Sequence, residues 1–301
     1  MWRGHCCRGM NGMSNVLDEL LDLLKLEPIG MNRFRGRCQD LGFRSLFGGQ
    51  VLGQGLSAAM QTLPGDSGQG WWPNSLHAYF LRPGSVTESI ELEVSLLRDG
   101  RSFANRQVIV SQKGKPLLSM ICSFHRPEDG FEHQTIKPDV PGPEGIASQV
   151  ELARQWRDHF PERLRPLYTA DKPIEMRVLN PVNIFSPEAR APEKVVWMRA
   201  DDMLGGSVRE HTSLLAYASD FNLITTALYP HGVSVYQKDM QVASLDHSIW
   251  FHRPFRMDEW LLYCIDSPSA SGGRGFCRGQ IFSASGELVA SVAQEGLIRK
   301  R

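Results

Sequence analysis

QVASLDHSIWFHRP, residues Gln241–Pro254, has a shorter copy of itself far upstream, SLHAYFLRP at Ser75–Pro83. Both read as β-strands, rich in aromatic and β-branched residues and closed by proline. Both run Ser-Leu, His, an aromatic pair (Tyr79-Phe80, Trp250-Phe251) and Arg-Pro, and Arg82 and Arg253 stand 171 residues apart. Downstream the echo persists: Arg101-Ser-Phe103 answers Arg274-Gly-Phe276 at an offset of 173, and Gly114 and Ser119 answer Gly286 and Ser291 at 172. A near-constant offset over this length is an internal duplication, so the chain reads as two copies of one domain.

Each copy carries one long helix of unusual character. Gln50–Leu63, QVLGQGLSAAMQTL, is small or apolar almost all round, and His211–Leu228, HTSLLAYASDFNLITTAL, has an apolar majority. Helices of that kind must be enclosed by protein. Strands flank them: Phe34–Cys38, Leu76–Leu81, Thr87–Leu97, Ser102–Gln112 and Pro116–His125 in the first copy. The second copy has Ile174–Leu179, Lys194–Arg199, the quoted stretch, Trp260–Ile265, Gly275–Ser283 and Leu288–Ile298. The expected fold is α+β, two repeats each with an antiparallel sheet curled round a helix. Residues 1–30 read as a leader and an amphipathic helix, Ser14–Leu26 with Ser14 as N-cap. Residues 31–130 read as the first repeat, 131–172 as a proline-rich linker with a helix over Ser148–His159, and 173–301 as the second repeat.

Composition narrows the function classes. The 301 residues carry 33 basic and 33 acidic side chains and no long basic run, so no electrostatic footprint for nucleic acid exists. No apolar run approaches the roughly 20 residues of a membrane span. The six cysteines, Cys6, Cys7, Cys38, Cys122, Cys264 and Cys277, lack a Cys-x-x-Cys spacing and read as free thiols. With no secretory signal before them, a reducing cytoplasmic setting is expected. His5-Cys6-Cys7 lacks a second ligand pair for a metal. Two further lookalikes fail on context. Gly53-Gln-Gly55-Leu-Ser-Ala58 has no alternating βαβ surroundings, and Ser57 lies inside a helix rather than on a nucleophile elbow.

The informative side chains are polar ones where polarity is costly. Asp220 falls inside the second apolar helix, past its first turns, and a buried carboxylate costs several kcal/mol, of the order quoted for buried ions, unless it is paired. Aligning VLGQGLSAA with LLAYASDFN sets Ser57 opposite Asp220, so the charge exists in one copy only. Gln294, in the apolar last strand, stands where the first copy has Cys122, and Ser244 opens the quoted strand. These three are either a functional trio or separately satisfied core polars.

At these residues the chain resembles the type II acyl-CoA thioesterases, the TesB-like enzymes, through YASDFN, VASLDHSIWFHRPF, RGFCRGQIF, VASVAQEGLIR, FGGQVLGQ and FLRPG. The resemblance runs from about Leu17 to Arg299. It implies a double hotdog fold, and hydrolysis of fatty acyl-CoA of medium to long chain to free acid and CoA. It also implies a catalytic trio of Asp220, Ser244 and Gln294, with Ser where many members have Thr. No metal or cofactor is implied; the partners are acyl-CoA and further copies of the chain, as homodimer or homotetramer. The C-terminus, Ile298-Arg-Lys-Arg301, lacks a Ser-Lys-Leu type address, which points to a bacterial cytoplasmic member. A thioester has a leaving thiol of pKa near ~8.5, so a positioned water suffices without a covalent intermediate. Asp220, its pKa raised by burial, would polarise that water while Ser244 and Gln294 orient it, and backbone N–H groups near a helix start would hold the oxyanion. His247, three residues beyond Ser244, should face the other side of the strand and so cannot serve it as a base. A hotdog-fold acyl-thioester dehydratase and a non-catalytic acyl-CoA binding protein are the alternatives.

Overall fold

The computed structural model describes residues 15–65 and 70–301; His5, Cys6, Cys7 and the expected Ser14 cap lie outside them. The helix that Ser14 was expected to open is α1 (Val16–Leu24), and its cap is Asn15, whose Oδ1 accepts from the Leu17 N–H at 3.2 Å. Then follow β1 (Glu27–Gly30), β2 (Arg33–Gly36), α2 (Gly48–Met60), β3 (Trp72–Phe80), β4 (Ile90–Asp99), β5 (Phe103–Gln112) and β6 (Lys115–His125). The stretch 126–147 carries neither strand nor helix. It leads into α3 (Gln149–Gln155), closed at its start by a Ser148–Glu151 capping box, and α4 (Arg165–Thr169). The second half holds β7 (Ile174–Val178), β8 (Glu193–Ala200), α5 (Val208–Ser219), a 3-10 helix (Ile224–His231), β9 (Met240–Ser244), β10 (Asp246–Phe251), β11 (Leu261–Ser271), β12 (Arg274–Ser283) and β13 (Leu288–Lys300).

Among the described residues the strands form one antiparallel sheet of thirteen, ordered β1-β2-β4-β5-β6-β3-β10-β13-β12-β11-β8-β7, with β9 on β13. The order reads the same outward from the centre in both directions, as a duplicated unit requires, and the architecture is the α+β double hotdog. The two strands that betrayed the duplication, β3 and β10, are those that meet at the centre. His77 lies opposite Ser248, its own counterpart 171 residues later, with Nδ1 2.9 Å from the Ser248 Oγ. A pseudo-twofold axis therefore passes between these two residues.

The helices lie back to back inside the sheet. Every residue of α2 from Gly49 to Met60 is buried, which explains its apolar circumference. Its glycines set the distance to α5. A Cβ on Gly49 would collide with the Tyr217 carbonyl, and one on Gly53 would stand 2.8 Å from the Ser213 carbonyl. Gly49 against Tyr217 and Gly53 against Ser213 make the helices antiparallel, so the N-terminus of α2 abuts the C-terminus of α5.

Two expectations need correction. The second helix does not run on to Leu228: α5 stops at Ser219 and Asp220 is its C-cap, not a mid-helix residue. Asn222 turns into the left-handed region at φ 67°, a helix-ending conformation that asparagine tolerates, and the chain resumes as the 3-10 helix. The quoted stretch is likewise not one strand, since it breaks at Leu245 between β9 and β10.

Candidate active site

The break at Leu245 is a β-bulge, and it decides which side chains meet. On β13, Gly296 pairs with Ser244, while Ala293 pairs with Ser248. Three residues of β13 separate those partners, against four on the bulged strand, so one extra residue is accommodated. Asp246 holds the bulge: its Oδ1 accepts the Glu295 N–H at 2.7 Å, in place of a ladder carbonyl. One residue of slip reverses the facing of everything beyond it. His247 therefore points to the same inner side as Ser244, contrary to the alternation expected of an unbroken strand, and it is fully buried.

Asp220, Ser244 and Gln294, scattered over 75 residues of sequence, converge here. Gln294 Nε2 donates one hydrogen to Asp220 Oδ1 at 2.7 Å and the other to Ser244 Oγ at 3.0 Å. Asp220 Oδ2 accepts the Gly49 N–H at 2.8 Å. The carboxylate thus sits at the N-terminus of α2, in the other repeat, where a free backbone N–H and the helix dipole both favour negative charge. Burial nonetheless pushes the Asp220 carboxyl above the usual carboxylate range, against the opposing pull of Gln294 and Gly49. Both amide hydrogens of Gln294 are used, so Ser244 receives a hydrogen bond from it and keeps its own hydroxyl proton to donate. Gln294 Oε1 is buried with no partner among the described residues.

His247 stands behind this group. Ser219 Oγ donates to the Ala216 carbonyl at 3.0 Å, and its single proton is thereby committed. The His247 Nε2, 3.0 Å from the same oxygen, must then carry hydrogen and donate. That fixes the tautomer and turns a bare Nδ1 toward Asp220 Oδ1 at 3.8 Å. Burial pushes the imidazole down to about 3, so this approach is between a neutral ring and a carboxyl, not an ion pair. His252 pairs instead with Ser291 Oγ at 2.8 Å, and His231 ends the 3-10 helix.

The first repeat is plugged at the corresponding place. Its Ser57 donates to the Leu24 carbonyl at 3.0 Å. Arg106 is the cross-strand partner of Cys122, as Cys277 is of Gln294. This arginine is fully buried, and its five N–H donors are all engaged, by Thr62 Oγ1, the carbonyls of Thr62, Arg98 and Asn105, and Asp99 Oδ1. Only one of the two pseudo-equivalent positions presents an acid.

Sequence reading missed Gly49 and Asp246, and it set His247 on the wrong side of its strand. The Gly48-Gly49 pair at a helix start was a visible signal for close approach; the Asp in SLDHS, absent from SLHAY, was the signal for the bulge. Among the described residues no cluster of three or more His, Cys, Asp or Glu is placed to hold a metal ion.

Residues 36–125 match the family described as acyl-CoA thioesterase N-terminal domain, and residues 165–297 the family described as acyl-CoA thioesterase. The chain is 44% identical to Acyl-CoA thioesterase 2 of Haemophilus influenzae, over 95% of this chain and 99% of that one. Its fold is similar to the crystal structure of acyl-CoA thioesterase II TesB2 from Mycobacterium marinum. The TM-score is 0.75 at 36% identity, covering 94% of this chain and 98% of the other. A hot dog fold protein of unknown function from Alicyclobacillus acidocaldarius has a TM-score of 0.72 at 19% identity, covering 96% and 100% of the two chains, a likeness of fold alone. Matched in both halves and over nearly its whole length, the chain belongs to the acyl-CoA thioesterase family.

Proposed function

We propose that the chain is an acyl-CoA thioesterase that hydrolyses medium- to long-chain fatty acyl-CoA, by direct attack of a water held among Asp220, Ser244 and Gln294. The observation that carries this is the single hydrogen-bonded group that Gln294 makes of Asp220 and Ser244, at 2.7 and 3.0 Å. Asp220 takes the water's proton as its oxygen closes on the thioester carbon. A carboxyl raised by burial is a better base than an exposed one. Ser244, with its proton free, fixes the water's orientation. The tetrahedral oxyanion collapses with loss of CoA thiolate, whose low basicity makes a strong general acid unnecessary. A Ser244 nucleophile would need a histidine at its Oγ. His247 is on the right side of the strand, but it bonds Ser219 and is held neutral behind Asp220.

That same 3.8 Å approach of His247 to Asp220 is the one feature that favours the dehydratase reading. Complete burial of the imidazole speaks against its exchanging protons with a substrate, and so favours the thioesterase reading. Incubation with dodecanoyl-CoA and a thiol reagent separates the readings: release of free CoA marks a thioesterase, and its absence leaves the dehydratase or a binding protein.

The proposal extends to assembly and setting. The outer face of the central strands exposes Tyr79, Ile121 and Trp250, at 65, 45 and 39% of their full surface, which fits burial in a homodimer or homotetramer. Sedimentation as a 33.8 kDa monomer at micromolar concentration would count against it. Cys38, Cys122, Cys264 and Cys277 are free thiols, in accord with a reducing bacterial cytoplasm.

A further inference from the structure

Beneath the linker lies a cavity of about 510 Å³, none of whose lining comes from Asp220, Ser244 or Gln294. Its roof is the linker itself, with Leu152, Phe160 and Tyr168; its floor includes Phe221, Leu228 and one charged side chain, Lys194. Such a volume falls within the range of roughly 300–1,000 Å³ typical of small-ligand sites, which are mostly apolar with a few placed polar groups.

Lys194 is out of character with its surroundings. It is only 6% exposed, on the inward side of β8 with Val196 and Met198. Its ammonium donates to Thr225 Oγ1 at 2.8 Å and to the Asn222 carbonyl at 3.2 Å, and it lies 4.8 Å over the Tyr229 ring. An ammonium has three donors, and two oxygens account for two of them. It makes no ion pair among the described residues; its titratable neighbours are the Cys277 thiol, which burial pushes up and so keeps uncharged, and the Arg190 guanidinium, also over the Tyr229 ring at 5.1 Å. Burial accordingly pushes the Lys194 ammonium down to about 7. The carboxylates that border the cavity, Glu19, Asp40, Asp171 and Glu188, are all exposed at its rim. A buried cation without a counter-ion, set in an apolar cavity, is complementary to an anion carried on an apolar chain.

We infer that this cavity binds an alkyl carboxylate, its chain among the linker aromatics and its carboxylate on Lys194 Nζ. Two molecules present that chemistry: a free fatty acid, and the far carboxylate of a dicarboxylyl thioester whose other end is being hydrolysed. The inference draws on the thioesterase reading for these sources only; binding itself does not require turnover.

The experiment measures binding of dodecanoate and of dodecanol, the same chain without the charge, by titration calorimetry on the whole protein. The proteins compared are wild type, Lys194→Met and Asp220→Asn. Wild type should bind one dodecanoate per chain about 10-fold or more tightly than dodecanol, as a charge-assisted hydrogen bond commands. Lys194→Met should bring the ratio near one, and Asp220→Asn should leave it intact even if the catalytic reading fails. Turnover then identifies the source. A free acid requires that dodecanoate inhibit hydrolysis of dodecanoyl-CoA in wild type and not in Lys194→Met. A terminal carboxylate requires that dodecanedioyl-CoA have the lower KM of the two thioesters in wild type, and lose that advantage in Lys194→Met. Equal affinity of wild type for dodecanoate and dodecanol overturns the inference without any variant. A ratio unchanged in folded Lys194→Met, or in Lys194→Gln should the first fail to fold, overturns it too.

Discussion

Replacing Asp220 by asparagine should separate chemistry from stability almost completely. Both carboxylate oxygens accept hydrogen bonds, one from the Gln294 amide and one from the Gly49 N–H. Asparagine offers one acceptor and one donor. The Gly49 N–H cannot turn, so the oxygen of the introduced amide must face it and the new NH2 must face Gln294. The Gln294 amide can turn, and its Oε1, partnerless in the wild type, then accepts from the introduced NH2 and from the Ser244 hydroxyl. The network re-forms with its direction reversed. Its stability should fall by about 1–3 kcal/mol, since the turned Gln294 leaves its NH2 in the buried place where Oε1 had no partner, while a buried charge disappears. Turnover should fall about 10²-fold or more, equivalent to ~2.7 kcal/mol of barrier, because no base remains. The pH behaviour carries a sign that checks the same idea. Burial raises the folded Asp220 pKa above its unfolded value of 3.8, so its contribution to stability is complete below that value. It is lost as pH climbs through the raised one. Wild-type kcat/KM should instead fall as pH drops through that raised value, and Asp220→Asn should lose both dependences. Release of CoA from dodecanoyl-CoA, followed by a thiol reagent, gives turnover, and urea denaturation gives stability. Turnover near the wild-type level in folded Asp220→Asn would refute the assignment; Ser57→Ala, at the matching place in the other repeat, should be mild.

Gln294→Ala breaks one charge-assisted and one neutral hydrogen bond and should cost about 3 kcal/mol by urea denaturation, as well as about 10²-fold in turnover. Without Gln294 the Asp220 pKa should rise further and carry the acid limb of the rate profile upward; a limb that stays in place argues against the contact. Ser244→Ala should lower turnover about 10²-fold, while Ser244→Thr keeps substantial activity and a fluorophosphonate leaves no adduct on Ser244. A mass-spectrometric adduct there would overturn direct attack by water. His247→Gln should flatten the acid side of the stability curve: the folded His247 pKa is about 3 against 6.5 unfolded, so its contribution is present above 6.5 and lost as pH falls toward 3. An unchanged slope between those values shows that His247 is not buried neutral. Gly49→Ala forces a methyl onto the Tyr217 carbonyl and should cost at least the ~1–3 kcal/mol of overpacking in the urea midpoint.

The duplication, the two enclosed helices and the out-of-place Asp220 were legible because each leaves a mark within one short window, whereas Ser244 and Gln294 were joined to it by the family resemblance. A repeated Arg-Pro, an apolar circumference and a lone acid are such marks. The end of α5 was not, because Phe221, Leu223 and Ile224 continue the apolar pattern straight through the break. Asn222 was the available clue, as a residue that accepts positive φ. The facing of His247 was misjudged because strict alternation holds only for an unbroken strand, and one aspartate on a backbone N–H is enough to suspend it. Lys194 could have been found by that same alternation: in EKVVWMRA it shares parity with Val196 and Met198, so a charge was destined for the inner face. The Gly49 N–H lies 171 residues from the carboxylate it serves, and no local pattern encodes that meeting.

The seam between β3 and β10 bears on how the molecule comes into being. Its ladder joins residues such as His77 and Ser248, so that sheet closure must await the chain's last third. Contacts of such separation slow folding, since the intervening chain must be gathered before any ladder bond rewards it. Each half also ends, at this seam, in a strand whose exposed edge would invite a wrong partner until its own arrives. The half made first on the ribosome presents β3 as that edge, and the second half supplies the repeat-related strand β10 to cover it. Two nascent chains side by side offer each other the same complement, so domain-swapped pairing is the natural misassembly of this fold.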